Sequence, residues 1–239
     1  MKATAFEFRF RFLIYFVIFL LGFTAPWDRI LSAETGRTAW LILAAWPAHN
    51  HWLSFSASTL ALLALAILCA VVAAALRTWS SAYLGANVVK AHTMQGEALV
   101  AAGPYRYLRN PLYLGTFIHT LALALLMPPS GALFCILAIA IFQLRLIAGE
   151  EAFLAAKLGD PYRAYCARVP RLLPALTPRV PASAIEPTWP SAFLGEIYMW
   201  GVVVTFAVAG WRYNAFVVIQ GVIVSLGVSF IARAFLPKR

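Results

Sequence analysis

The chain has 239 residues, of which 62% are hydrophobic and 12% are charged, and its formal net charge is +10. A soluble domain carries about 25% charged residues, so this composition excludes a water-soluble enzyme, a disordered chain and a secreted disulfide scaffold. Its three cysteines fit neither a disulfide framework nor a metal site. We therefore predict an all-α, polytopic membrane protein with no metal centre and no nucleic-acid partner, in which the position of the positive charges is more informative than their sum.

Uncharged apolar runs predict about six transmembrane helices, because one crossing needs about 20 such residues. The first run is Phe12 to Trp27. Polar residues from Pro47 to His51 separate a short interfacial stretch from a second span, about Leu53 to Leu76. The run 110–144 is too long for one helix, and Pro128-Pro129-Ser130-Gly131 divides it into a helical hairpin. The runs 197–211 and 213–232 predict a second hairpin near the end of the chain.

The basic residues predict the orientation of these spans. With the N-terminus in the cytoplasm, all but three of the 19 Lys and Arg residues are cytoplasmic, and the exceptions are Arg29, Arg37 and Arg212. Both termini are then cytoplasmic. A cleaved signal peptide over residues 1–33 is the competing interpretation, but Leu31 stands where its cleavage site needs a small residue.

Two cytoplasmic segments, 78–110 and 145–196, flank the first hairpin, so the fold is expected to bring them together on one face. The first contains Gly103 to Gly115, where Gly-Pro predicts a turn and Pro111 suits the first turn of a helix. The free N–H groups of that helix start are suited to binding a carboxylate. Alternatively, Arg106 and Arg109 only anchor the chain at the membrane interface.

In the second segment Arg145 and Glu150 lie about 140° apart on a helix, so they do not form an i,i+4 pair. Adjacent carboxylates at Glu150 and Glu151, just below the bilayer, indicate either a functional site or the capped, water-exposed end of a long helix. The pattern does not decide which glutamate points inward, and Glu151 is expected to matter less if it faces water. The helix is predicted to end at Gly159-Asp160-Pro161.

Three stretches in this order carry a family resemblance. They are Glu97-Ala98-Leu99-Val100 leading into Gly103-x-Tyr105 and Arg109-Asn110-Pro111-x-Tyr113-x-Gly115; Glu150-Glu151-x-x-Leu154-x-x-x-x-Gly159; and Tyr162-x-x-Tyr165-x-x-x-Val169-Pro170-x-x-Leu173-Pro174. Over about residues 75–176 the chain resembles the isoprenylcysteine carboxyl methyltransferases and their bacterial relatives, a group that also resembles the phospholipid N-methyltransferases.

The resemblance implies an all-helical membrane methyltransferase that binds S-adenosyl-L-methionine on its cytoplasmic side, beneath the first hairpin. It implies a lipophilic or lipidated substrate that enters from the bilayer, among the membrane lipids. The implied cofactor contacts are Lys90, Glu97, Ala98, Leu99, Val100, Tyr105, Asn110, Pro111, Leu112, Tyr113, Glu150 and Glu151. The catalytic candidates are Arg109 and Arg145, which are suited to steering an anionic group, and Glu150, which is suited to binding ribose hydroxyls or facing the sulfonium.

The resulting hypothesis is carboxyl O-methylation of an isoprenyl-like or lipid-like substrate in a bacterial inner membrane. Residues 1–77 form the N-terminal helices, 78–176 the methyltransferase core, and 177–239 a linker and hairpin outside the resemblance. N-methylation of an amino-phospholipid is the alternative reaction. A non-catalytic membrane scaffold is the third reading, because Asn110 stands where the family usually has a histidine.

Overall fold

A computed structural model describes residues 2–25, 37–85, 88–89, 94 and 99–232, and all regular structure in this part of the chain is helical. The α-helices, in chain order, are α1 (Ala5–Arg9), α2 (Arg11–Thr24), α3 (Ala39–His49), α4 (Phe55–Leu84), α5 (Pro111–Ala124), α6 (Pro129–Leu158), α7 (Asp160–Arg168), α8 (Trp189–Gly195), α9 (Ile197–Ala209) and α10 (Ala215–Ala232). Two 3-10 turns occupy Gly103–Arg106 and Gly210–Arg212. The fold class is therefore the predicted helical bundle.

Three described helices are long and apolar enough to cross a membrane: α4, α6 and α10. Helices α8 and α9 pass the same test together, but they are bent by 62° at the break between them. The apolar helices α2 and α5 have 14 residues each, about 21 Å of rise against about 30 Å of hydrocarbon. The described residues thus hold fewer full-length spans than the six predicted, because α2 ends at Thr24 and α5 ends at Ala124, each short of a full crossing.

The first predicted hairpin is confirmed, since α5 ends at Ala124 and α6 begins at Pro129. Its turn binds the start of α3: the backbone N–H groups of Ala39 and Trp40 donate to the carbonyls of Met127 and Leu125 at 2.8 and 2.9 Å. The rings of Trp40 and Tyr213 also meet, with centroids 6.2 Å apart. The hairpin turn, the start of α3 and the turn before α10 therefore lie at one end of the bundle.

The two polar segments lie together at the other end. The N–H of Ala175 donates to the carbonyl of Tyr107 at 3.0 Å, and the N–H of Thr188 donates to the carbonyl of Ala82 near the end of α4 at 2.8 Å. This confirms that the segments meet on one face. Residues 78–84 of the first segment are helical, however, because α4 continues eight residues past the predicted end of its span at Leu76. The compartment that this end faces stays a prediction.

Helix α4 is the centre of the bundle and contacts α3, α5, α8 and α9, while α2 packs on α6 and α10 packs on α9. Buried alanines at 66, 70, 73 and 74 cover its inner face, and such small residues let membrane helices approach closely. At the crossing with α5, a Cβ atom on Gly115 would lie 2.6 Å from Arg77 Cγ and 3.3 Å from the Ala73 carbonyl. This close approach fixes the start of α5 against α4.

Candidate active site

Glu151 on α6 lies at the centre of a buried polar network, and 9% of the residue is exposed. Its Oε2 accepts from Arg171 Nη2 at 2.6 Å, and its Oε1 lies 3.3 Å from Arg109 Nη1. Oε1 also accepts from Asn110 Nδ2 at 3.1 Å. The reading in which Glu151 faces water is therefore wrong. The carboxylate points inward because two arginines and an amide there replace the water it would otherwise bind.

Asn110 connects the start of α5 to the segment after α7. Besides Glu151, its Nδ2 reaches the carbonyl of Arg171 at 3.1 Å, and the adjacent N–H of Arg109 donates to the Pro170 carbonyl at 2.9 Å. Its side chain makes no capping hydrogen bond to α5, which begins at Pro111 as predicted. Both recorded bonds of the Asn110 amide are thus made within the protein, where they hold α5, α6 and the 170–171 segment together.

Glu150 faces a different group of side chains from Glu151, about 100° around the helix. It is half-buried, lies within interaction range of the Tyr113 hydroxyl on α5 and feels the charge of Arg11 on α2. The structure records no ion pair for Glu150 among the described residues. The two glutamates therefore differ: Glu151 is saturated by protein donors, whereas Glu150 keeps acceptor capacity for a ligand.

Tyr105 is a second side chain at this end of the bundle whose hydrogen-bonding capacity is not fully used. Its side chain is buried, and its Oη has no hydrogen-bond partner in the part of the chain that the structure describes. The Tyr105 carbonyl accepts from Tyr165 Oη at 2.7 Å, which fixes the turn that carries it. Burial raises the pKa of the Tyr105 phenol well above its usual value of 10. It therefore stays protonated at neutral pH and keeps an O–H to donate.

Arg145 was predicted to steer an anionic group, and the structure shows it paired with the N-terminal helix α1. Its Nη2 lies 2.8 and 2.9 Å from the two carboxylate oxygens of Glu7, and its Nε donates to Oε1 at 3.1 Å. The N–H of Ala3 donates to the Arg145 carbonyl at 2.9 Å. These bonds to Arg145 lower the pKa of Glu7 to about 2. The arginine thus anchors the start of the chain on α6.

The remaining predicted contacts fall into two groups. Lys90, Glu97 and Ala98 lie outside the described residues. Leu99 and Val100 are half-buried, and Leu99 packs on the buried cluster of Tyr162, Tyr165 and Val169. Pro111 is buried, and the Leu112 carbonyl accepts from Arg77 Nη1 at 3.3 Å. The described members therefore lie around the start of α5 and the adjoining loop, as the motif order suggested.

Several residues that shape this region belong to none of the sequence motifs. Arg11 is 6% exposed and donates to the carbonyls of Phe8 and Val89 at 2.9 and 3.0 Å. Arg77 pairs with Glu196 at 2.7 Å, and Ser81 Oγ donates to the same carboxylate at 2.9 Å. Glu196 is thus the buried partner of an ion pair. In the sequence, these residues are marked only as charges beside an apolar run. That pattern does not identify the residue with which each one pairs.

Two cavities adjoin the Glu151 network. One, of about 410 Å³, is bordered by Glu151 and Arg171 and reaches Lys2, Tyr162 and Cys166. The other, of about 480 Å³, is lined by Arg109, Arg168 and Arg179 together with residues of the 166–175 stretch. Both lie on the Glu151 side of α6, so the acceptor atoms of Glu150 and the basic cavities occupy different sides of the same helix.

Residues 60–160 match a family model described as phospholipid methyltransferase. This part of the chain contains α5, α6, the 3-10 turn and both glutamates. No curated protein and no solved structure matches the chain. The match covers about two-fifths of the residues and supports a relationship to membrane methyltransferases that act on lipid-like substrates, a family that generally uses S-adenosylmethionine.

Proposed function

We propose that this protein is an S-adenosylmethionine-dependent membrane methyltransferase whose acceptor is the carboxylate of a lipophilic, isoprenyl-like or lipid-like molecule. The observation that carries the proposal is the contrast between the two adjacent glutamates. Glu151 is held by Asn110, Arg109 and Arg171, while its neighbour Glu150 has acceptor capacity left within the matched region. A rigid network beside an unsaturated carboxylate is the arrangement expected of a preorganised binding site.

The available groups fit the proposed cofactor. S-adenosylmethionine, when bound, supplies a methyl group on a positively charged sulfur. Glu150 is the described carboxylate able to oppose that charge or to accept from ribose hydroxyls, and the buried Tyr105 Oη offers an unpartnered donor. Lys90 and the stretch from Glu97 to Val100 complete the proposed cofactor contacts.

Methyl transfer is an in-line displacement, so its rate depends mainly on how the two reactants are positioned. The Asn110 and Glu151 bonds fix α5 relative to α6 and so fix Tyr113 relative to Glu150. We assign to Arg109, whose Nε is buried without a partner in the described chain, the role of orienting an anionic acceptor. A carboxylate acceptor is already nucleophilic and needs no general base, which agrees with a site built from arginines, tyrosines and carboxylates.

N-methylation of an amino-phospholipid is the second candidate. The match to the phospholipid methyltransferase model favours it. An ammonium acceptor must lose a proton before it attacks, and Glu150 is the group with capacity to attract the ammonium and take that proton. The two candidates therefore assign different roles to one side chain: orientation of the cofactor in the first, and a general base in the second.

Transfer of a tritiated methyl group separates the two reactions. The purified protein is incubated with labelled S-adenosylmethionine and either a prenylated thioether carboxylic acid or phosphatidylethanolamine in mixed micelles. A methyl ester releases labelled methanol in base, whereas a methylated amine keeps its label. We expect base-labile label with the acid; base-stable label on the phospholipid would establish N-methylation. Absence of S-adenosylhomocysteine binding by calorimetry would refute both and favour a non-catalytic scaffold.

We also propose that residues 78–176 form the catalytic core and that its site faces the cytoplasm of a bacterial inner membrane. Single cysteines in a cysteine-free background test the orientation. An impermeant maleimide should label positions 37 and 212 from outside the cell and positions 103 and 175 only after permeabilisation. External labelling at position 103 or 175 would contradict the cytoplasmic placement.

A further inference from the structure

The segment from Val169 to Thr188 joins the end of α7 to the start of α8. Helix α6 has 30 residues, about 45 Å, which is about 15 Å more than the hydrocarbon thickness. Its last turns and α7 therefore project beyond the apolar layer, and the chain must return before α8 and α9. Hydrogen bonds of 2.9 Å from Ser183 to Ala101 and of 2.8 Å from Thr188 to Ala82 pin the returning segment to the helix ends.

This returning segment carries two solvent-exposed leucines. Leu173 is 80% exposed and Leu176 is 99% exposed, although both belong to a segment that is fixed by backbone hydrogen bonds. The N–H of Ala175, between them, donates to the Tyr107 carbonyl at 3.0 Å. The leucines are therefore held outward by ordered backbone, on a segment whose other end is bonded to α4, a helix long enough to cross a membrane.

The charged residues along this stretch of sequence are all basic. No Asp or Glu occurs between Pro161 and Ile185, whereas Arg163, Arg168, Arg171 and Arg179 fall in this interval. Arg163 is paired with Asp160. Arg171 is paired with Glu151. Arg168 and Arg179 are exposed and have no acidic partner among the described residues; with Arg109 they line the cavity of about 480 Å³, whose wall includes Leu173.

We propose that this cavity, together with Leu173 and Leu176, is a docking site for an anionic phospholipid of the adjacent leaflet. The phosphate binds Arg168 and Arg179, which recognise it through charge-assisted hydrogen bonds, and the acyl region covers the two leucines. We favour an anionic lipid over a protein partner because basic and apolar side chains lie next to each other on this surface. A leaflet with anionic headgroups likewise presents negative charge next to hydrocarbon. The proposal does not depend on the methyl-transfer chemistry.

An environment-sensitive fluorophore at position 176 tests the docking. The variant Leu176→Cys is made with Cys69→Ala, Cys135→Ala and Cys166→Ala, labelled, and reconstituted in nanodiscs of phosphatidylcholine alone or with phosphatidylglycerol. We expect a blue shift that requires phosphatidylglycerol and disappears with Arg168→Gln plus Arg179→Gln. The matched control is Arg212→Gln, an exposed arginine at the other end of the bundle, which should leave the shift intact. A water-like emission in both lipids, or an equal shift in both, would overturn the proposal.

Native mass spectrometry of the detergent-purified protein gives an independent measurement. Retention of phosphatidylglycerol over phosphatidylcholine should weaken by about 25-fold in the double variant, at about fivefold for each arginine. Arg168→Lys plus Arg179→Lys keeps the charge and should lose less, which separates recognition from misfolding. Inorganic phosphate is the probe for a soluble anion. If it displaces the lipid completely at millimolar concentration, the site recognises phosphate alone and the lipid assignment fails.

Discussion

Replacing the two adjacent glutamates one at a time should separate ligand binding from stability. Glu150→Gln removes a charge that no ion pair among the described residues uses. A hydrogen bond to a charged group contributes about 1.5–3 kcal/mol, so affinity for S-adenosylhomocysteine should fall by about one to two orders of magnitude. The unfolding temperature should change little, because the half-buried site does not depend on this carboxylate for a salt bridge.

Glu151→Gln should have the opposite effect. It removes the counter-charge of Arg109, whose side chain is 14% exposed, and of Arg171, whose side chain is 52% exposed. Breaking a fully buried pair costs about 3–5 kcal/mol, and the hydration available to Arg171 reduces this to about 2–3 kcal/mol. A loss of that size lowers the unfolding temperature by several degrees, at about 2–4 °C per kcal/mol for a chain of this length.

Each variant serves as the control for the other, since both convert one glutamate of the same helix to an isosteric amide. Calorimetry with S-adenosylhomocysteine and thermal unfolding in the same detergent give the two readouts. The division of roles between the two glutamates is wrong if Glu150→Gln lowers the unfolding temperature while Glu151→Gln binds and unfolds as wild type does. Wild-type binding by both variants would mean that the carboxylates only stabilise the helix end and that the site lies elsewhere.

Three further predictions concern the contacts around this site. Asn110→Ala loses both bonds of the amide and should destabilise the protein by about 1.5–3 kcal/mol and weaken S-adenosylhomocysteine binding, whereas Asn110→His keeps a donor and should lose less of both; equal behaviour would refute the anchoring role. Since the Glu7 carboxyl has a pKa of about 2 when folded and about 4.5 when unfolded, the stabilisation it gives is complete above about pH 4.5 and is lost as the pH falls towards 2. Unfolding temperatures of Glu7→Gln should therefore approach wild type in that acidic range and not above it. Glu196→Gln leaves the Arg77 charge buried and should cost about 3–5 kcal/mol, whereas Arg77→Met with Glu196→Leu should cost less than either single change; urea unfolding checks both.

Local signals in the sequence predicted the first hairpin, the start of α5 and the end of α6, although not the end of α4. Pro128-Pro129 interrupts a helix regardless of its position in the fold, because a proline removes a backbone donor and clashes with the preceding turn. The same holds for Pro111 at the start of α5 and for Gly159, whose positive φ of 63° ends α6. These effects act within a few residues, so a sequence shows them without knowledge of the fold.

The partners of the charged residues were not predictable in this way. Glu7 and Arg145 are 138 residues apart, and Arg77 and Glu196 are 119 apart. Helical periodicity does not indicate which of several distant charged residues form an ion pair. The pairs are determined by how the helices pack. The orientation of Glu150 and Glu151 has the same origin, because a rotation of about 100° exchanges their environments without altering the motif. The motif marked both glutamates as candidates, and tertiary packing set the contacts of each.

Three ion pairs show why the site depends on more than the matched residues 60–160. Arg77, Arg145 and Glu151 lie inside that range, and their respective partners Glu196, Glu7 and Arg171 lie outside it. Without its partner, the Arg77 charge would be left in the bundle interior, and Glu151 would lose the shorter of its two ion pairs. A buried charge left alone costs more than the pair contributes when intact. The flanking segments therefore act as part of the site: they supply the counter-charges that let the matched helices keep ionised groups within an apolar bundle.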